Sequence, residues 1–252
     1  MAFAFKATST VTGTALNATG TEPTGTAQND IMVAFIICGQ LGVLGAPVGW
    51  TVLRSGQTGT SENDDHQYMI AYIVRGASAP SLVFTTGTSQ PRELYICTFS
   101  GENTSTPIDA EGTPAVTPAT PTPATNPDPP SVTPVDAAAL AICVGSSWFG
   151  SAAGGWGTPT GYTIRSRNVA GDSGVMASKQ LSGTAPDNPS AFTNGAGASS
   201  NFAHTFTLKS SAGTQQTLRP DADLATTGWT TTPLFSKVND SSDATVVTST
   251  LA

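Results

Sequence analysis

Apolar and polar residues alternate with a period of two in short windows along most of the chain. No window carries the three-and-four spacing of an amphipathic helix. The alternation predicts strands over Phe3–Val11, Ile31–Cys38, Trp50–Arg54, Gln67–Val74, Ser81–Thr85 and Glu93–Phe99. A second set follows over Ala137–Val144, Tyr162–Ser166, Gly174–Gln180 and Phe202–Leu208. In "QYMIAYIVRG", Tyr68, Ile70, Tyr72 and Val74 share one face, while Met69, Ala71 and Ile73 make the other nearly as apolar. That strand is expected to be covered on both sides. In "FAHTFTLKS", Phe202, His204, Phe206 and Leu208 lie on one face and small or polar residues on the other, the pattern of a half-buried strand. The nearest approach to a helix, "VDAAALAICVG", is too short and ends in β-branched and thiol side chains, so it reads as a strand. The chain is expected to be all-β.

Between the two strand sets lies "TPAVTPATPTPATNPDPPSVTP" (Thr113 to Pro134), with eight of the 18 prolines. A polyproline II segment of this length reaches roughly 65 Å at about 3.1 Å per residue, enough to join two domains or to cross over one. A repeated phrase bears on that choice. "PVGWTVLRSG" (Pro47 to Gly56) and "PTGYTIRSRN" (Pro159 to Asn168) both run proline, any residue, glycine, aromatic, threonine and apolar residue, then a basic residue. Each follows an aspartate and an apolar strand, Asp30 with "IMVAFIICG" and Asp136 with "AAALAICVG". The phrase reads as a turn-into-strand corner, written once per half. A half of about 80 residues is marginal as a separate core. The expected architecture is therefore one antiparallel, jelly-roll-like β-sandwich over 28–212. It is built from halves 28–112 and 135–212, with 113–134 as connector. Residues 1–27 form an N-terminal arm or first strand, and 213–252 a C-terminal arm or extra strands.

Composition narrows the function classes. Charged residues make up 11% of the chain, against about 25% in an average globular protein. The formal net charge is −7, with ten scattered basic residues. That argues against nucleic-acid binding, which needs a clustered basic surface. The N-terminus lacks the apolar run and cleavage pattern of a secretory signal. The most apolar stretch, Ile31 to Cys38, is too short to span a bilayer. A protein made in a cytoplasm, with no membrane partner, is expected. Cys38, Cys97 and Cys143 lie in apolar runs and are odd in number, so buried reduced thiols are expected in place of a disulfide framework.

Candidate chemistry is sparse. There are two histidines. His204 sits on an apolar strand face and reads as a hydrogen-bonded core residue. His66 ends "SENDDH", where Asp64, Asp65 and His66, with Glu62, are candidate cation ligands; the loop lacks the spacing and glycine of a hard-metal site and reads as a solvated loop. "GDSGV" (Gly171 to Val175) resembles the context of a serine-protease nucleophile, but the expected upstream histidine context is absent. Glu93 and Glu102 are a conceivable pair for glycoside hydrolysis, without a motif around either. No catalytic residue, cofactor or metal is assigned. Aromatic residues remain. Trp148, Phe149 and Trp156 fall in the glycine-rich "GSSWFGSAAGGWGTPTGY", and Trp229 and Phe235 in the polar C-terminal segment. They are the candidate partner-binding residues, with a role as caps on the end of a sandwich as the alternative.

Several phrases together resemble a β-sandwich module of tailed-bacteriophage virion structural proteins, also found in some bacterial surface proteins. They are Asp30 before its apolar strand, Pro47-Val48-Gly49-Trp50-Thr51, Ala77-Ser78-Ala79-Pro80, Phe99-Ser100-Gly101 and Pro107-Ile108-Asp109. "LRPDADLATTGW" is similar to a phrase of phage structural proteins. The likeness covers 28–110 well, 136–210 loosely and 217–230 separately, and carries no catalytic set. It implies a non-enzymatic virion component, made in the host cytoplasm. A decoration or cement protein on the capsid surface is the leading reading, binding the major capsid protein or other virion proteins as a homo-oligomer or in many symmetric copies. The alternatives are a tail fibre or tail-tip protein binding host glycans, and a bacterial carbohydrate-binding or adhesion module.

Overall fold

The computed structural model of the chain describes residues 3–39, 42–60, 65–118, 126–148, 155–168, 173–193 and 200–211. Among these there are strands and no helix. The strands are β1 (Ala4–Gly13), β2 (Asn17–Thr19), β3 (Ile31–Gly39), β4 (Thr51–Gln57), β5 (His66–Val74), β6 (Val83–Thr85) and β7 (Arg92–Ser100). They continue with β8 (Ile108–Glu111), β9 (Ala115–Thr117), β10 (Leu140–Ser147), β11 (Thr163–Arg167), β12 (Ser173–Gln180) and β13 (Asn201–Leu208). Each strand expected from the alternation is present, with ends shifted by a few residues. The short β2, β8 and β9 escape the pattern because three or four residues are too few to show a period.

The strands form two main antiparallel sheets, in the orders β1-β7-β3-β5-β4 and β11-β12-β10-β13-β8, with β9 also pairing β13 and a small β2-β6 pair to the side. Every main-sheet strand up to Ser100 is in the first sheet, and every one from Ile108 onward in the second. The winding therefore sorts by chain half, where a jelly roll would pass strands back and forth between sheets. Within each sheet the four core strands repeat one topology: β7-β3-β5-β4 corresponds to β13-β10-β12-β11. The correspondence extends to detail. The ladder of β4 on β5 breaks between Val52 and Arg54, and that of β11 on β12 between Ile164 and Ser166. Each bulge falls three residues after its corner aromatic, Trp50 or Tyr162.

The repeated phrase is that corner. The amide of Trp50 donates to Pro47 O at 3.2 Å, and that of Tyr162 to Pro159 O at 3.0 Å. Gly49 and Gly161 take φ of 92° and 80°, the left-handed position of a type II turn that glycine fills without strain. The aromatic then folds onto the outer face of its own sheet. Trp50 packs edge-on against Phe84, with ring centroids 5.1 Å apart. Its indole N–H reaches Ser81 O at 2.9 Å, and the Tyr162 hydroxyl donates to Asp187 at 2.5 Å.

The inner faces make one core. Ile31, Val33, Phe35, Ile37, Tyr68, Ile70, Tyr95, Cys97 and Phe99 of the first sheet meet Leu140, Ile142, Val144, Met176, Phe202, Phe206 and Leu208 of the second. Tyr68 stacks flat on Phe202 across the interface, with centroids 3.7 Å apart. Gly174 is required by the close approach of the Tyr95 and Phe35 rings, because a Cβ there would stand 2.7 Å from Tyr95. The two outer faces carry smaller cores. One gathers Met32, Ile36, Trp50, Met69, Phe84, Leu94 and Ile96, the other Cys143, Trp156, Tyr162, Val175, Leu181 and Phe192. The strand over Gln67–Val74 is covered on both faces, as its two apolar faces imply. β13 differs from its expected half-buried state and is buried throughout. Both of its edges are paired, by β10 on one side and by β8 and β9 on the other, and Thr207 donates to Asp109 at 3.1 Å.

Residues 4–13 lie as an edge strand against β7. The described end of the Pro-rich connector runs beside the segment covering the second sheet: Phe192 N donates to Pro127 O at 2.9 Å, and Val132 and Asp187 exchange a pair of backbone bonds. Since neither half covers its inner face alone, a fragment ending at Thr106 is expected not to give a stable monomer. Size-exclusion chromatography and near-UV circular dichroism should show aggregate or self-paired species, where the whole chain gives a native spectrum. A cooperatively unfolding monomeric fragment would refute the shared core.

Candidate functional site

The most concentrated polar chemistry lies at the end of the sandwich where β3 stops and β5 begins. His66, the first residue of β5, is fully buried and reaches across to the other sheet. Its Nε2 is 2.7 Å from the Ser146 hydroxyl of β10, and its Nδ1 is 3.0 Å from the Ser200 hydroxyl just before β13. Thr58 closes the near side: its hydroxyl accepts from the His66 amide at 2.9 Å and donates to Asp65 at 3.3 Å. Trp148 lies over the imidazole, with centroids 5.6 Å apart and planes 16° from parallel. Burial pushes the His66 pKa down to about 3, so the ring is neutral. A neutral imidazole has one donor and one acceptor nitrogen, and here each has a serine.

Of the four candidate cation ligands in "SENDDH", two fall among the described residues. Asp65 and His66 are both buried and point into the protein, and both ring nitrogens of His66 are engaged. Glu62 and Asp64 lie outside the described residues. No group of three or more His, Cys, Asp or Glu is placed to hold a metal among the described residues. Ser146, His66, Thr58 and Asp65 do form a hydroxyl–imidazole–hydroxyl–carboxylate chain. With Ser146 and His66 at 0% exposure, a substrate carbonyl has no approach to it. Its evident work is to tie the two sheets together.

The candidate partner-binding aromatics separate. Trp148 and Trp156 are each 3% exposed. Trp148 covers His66, and its amide donates to Ser200 O at 3.1 Å. Trp156 packs edge-on against Phe192, and its indole N–H donates to Asn168 O at 2.9 Å. As placed, both are plugs, and neither offers a ring face to a glycan or a partner. Phe149, Trp229 and Phe235 lie outside the described residues.

The other candidates resolve into structure as well. Glu93 lies near the start of β7 and Glu102 just past its end; at about 3.3 Å per residue the strand between them spans roughly 25 Å or more, far beyond the separation of a glycosidase pair. Glu93 accepts hydrogen bonds from Tyr95, Asn168 and the Gly174 amide, a second polar tie between the layers. Glu102 is buried, and among the described residues its carboxylate meets only weak backbone contacts, at Ile31 and at its own amide. Burial, with the nearby Asp30 charge adding to it, pushes its pKa up to about 7. In "GDSGV", Ser173 is a buried strand residue, and its hydroxyl makes no hydrogen bond to any base among the described residues. His204 is buried between Phe202 and Phe206, but among the described residues the expected hydrogen bonds are not formed. Instead its Nε2 stands 3.4 Å from Glu111, which Arg54 approaches at 2.8 Å from the opposite sheet. Burial, with Arg54 contributing, pushes the His204 pKa down to about 4. The three thiols are free and buried, and desolvation raises the pKa of Cys38 and Cys97 to about 12.

An open concavity lies on the flank where β1 and β11 come together. It has a volume of about 500 Å³ and is lined by Thr8, Thr10, Thr158 and the run Ile164–Arg167. Sequence reading missed it, because it joins residues more than 150 positions apart that share no motif. The one local signal was the alternating pair Arg165 and Arg167 on an edge strand.

Comparison with known proteins found no matching family model, no matching curated protein and no matching solved structure.

The histidine pKa values carry a pH dependence. In the unfolded chain His66 and His204 titrate near 6.5, and folding depresses both. Acidification therefore protonates the unfolded chain first, and stability falls as pH drops from about 6.5 towards 4. Glu102 acts in the opposite sense, losing stability as pH rises from about 4.5 through 7. Urea unfolding of His66→Gln is expected to show lower stability than wild type at pH 7 and a shallower loss between pH 6.5 and 4. Glu102→Gln should gain most at pH 8. An unchanged acid limb in the His66 variant would show that this tie does not govern acid stability.

Proposed function

We propose that this chain is a non-enzymatic structural protein of a bacteriophage virion, acting on the head surface as a decoration or cement protein that bridges capsid subunits. The observation that carries the reading is where the virion-like phrases fall in the fold. Pro47 to Trp50 makes the corner that seats a core aromatic. Pro107 O accepts from Lys209 N at 2.8 Å, and Asp109 receives the amides of Val135 and Asp136 at 2.8 and 3.0 Å. The phrases thus specify how a duplicated sandwich is closed, and a resemblance seated on such positions is one of scaffold. A polar network sealed at one end and an ion pair fastening one flank suit a protein whose work is mechanical. A rigid body presented in many symmetric copies gains adhesion by avidity without a deep pocket.

Purified protein added to expanded phage capsids that lack it is expected to bind in many copies and to raise their melting temperature. Electron microscopy should place it at capsomer junctions. Unchanged capsid stability together with binding to host cells would overturn the head-surface reading in favour of a tail fibre. Glycan binding with no virion association would point to a bacterial surface module.

A further inference from the structure

The two flanks of the sandwich are built alike and finished differently. The sheet orders run in opposite directions across the core, so β1 faces β11 on one flank and β4 faces β8 on the other. On the β4/β8 flank, Arg54 and Glu111 close the gap with an ion pair. On the β1/β11 flank no carboxylate is among the described residues that line the gap. Its layers touch through Thr10 and Ser166, whose hydroxyls are 2.9 Å apart. Arg165 lies over the Phe5 ring at 4.7 Å and donates to the Ser178 hydroxyl, and Arg167 donates to Trp156 O. Neither has a carboxylate partner among the described residues. By contrast Lys6, Arg54, Arg75 and Lys179 are each paired with one.

In a chain of net charge −7, two unneutralised guanidiniums in one groove mark a local reversal of sign. Long-range repulsion of an anion is screened within about 8 Å at physiological salt, so the local pair decides. Among the described residues the groove is also bordered by backbone that no strand covers, since there β1 pairs only β7 and β11 pairs only β12. Its volume is in the range of ligand clefts, but its lining holds no aromatic platform of the kind a sugar ring stacks on. Free strand edges, hydroxyls and paired arginines suit an extended polypeptide that adds a strand and carries acidic side chains.

We propose that the groove between β1 and β11 docks an extended acidic polypeptide segment of a partner protein. The segment pairs its backbone with a free strand edge and its carboxylates with Arg165 and Arg167. This inference does not depend on the virion reading, because it rests on the flank alone.

The test uses the full chain with a fluorescein-labelled peptide of four Thr-Asp repeats, with Thr-Asn and Thr-Lys repeats as controls and an oligogalacturonate as competitor. Anisotropy titration should show the acidic peptide binding at least tenfold tighter than either control, and weakening as salt rises. Arg167→Glu should reduce its affinity roughly tenfold or more, and Arg167→Gln by less, with melting temperatures reported for both. Hydrogen exchange should slow at amides of Thr8–Val11 or Thr163–Arg167 when the peptide is bound. Equal binding of the neutral peptide, full affinity in a folded Arg167→Glu variant, or no change in exchange at either strand would each overturn the proposal. So would binding of the oligogalacturonate without binding of the acidic peptide.

Discussion

The structure depends on one contact, the apposition of two apolar sheet faces that neither half of the chain can cover alone. Hydrophobic burial is non-directional, yet this interface fixes a geometry through its aromatic residues. Tyr68 stacks on Phe202, Phe202 lies against Phe35, and Phe35 against Tyr95. The ring series passes from one sheet to the other, so the layers cannot slide without breaking it. Gly174 admits the Tyr95 ring by having no side chain. The corner phrase, the bulges and the outer cores all serve to present these two faces.

Polar groups placed inside the interface make it specific. His66 with Ser146 and Ser200 ties one end, and Glu93 with Tyr95, Asn168 and Gly174 makes a second tie. Each joins residues far apart in the chain across the two layers, so a misdocked pair of sheets would leave buried donors and acceptors unpaired. That penalty is about 1–3 kcal/mol per group. Duplication supplies the two layers, and these ties distinguish the native docking from its near-symmetric alternatives.

The two halves differ at the flanks. The repeated strands are committed to the core, and the repeat's equivalent positions diverge where strands meet at an edge. Leu53 and Arg165 occupy the same bulge position, but Leu53 packs onto the core while Arg165 lies over Phe5. The two flanks thus differ in their side chains while the sheet topology is the same.

Much of the fold was legible in the chain's periodicity, because a strand with one or two apolar faces writes its period directly into the sequence. The corner phrase named equivalent positions in both halves, and the marginal size of each half argued for a shared core. What alternation cannot register is the partner of a face. It showed His204 among phenylalanines but not the nearby Glu111, and it showed Trp148 and Trp156 in a glycine-rich loop but not that both are buried. It likewise led to a jelly-roll-like expectation where the strands sort by halves, since strand order is set by long-range pairing. The sequence by itself determined the strands, the corners and the duplication, which rest on local periodicity and turn chemistry. Only the tertiary structure decided which polar residues are ties and which border a groove, because burial and proximity arise when distant segments meet.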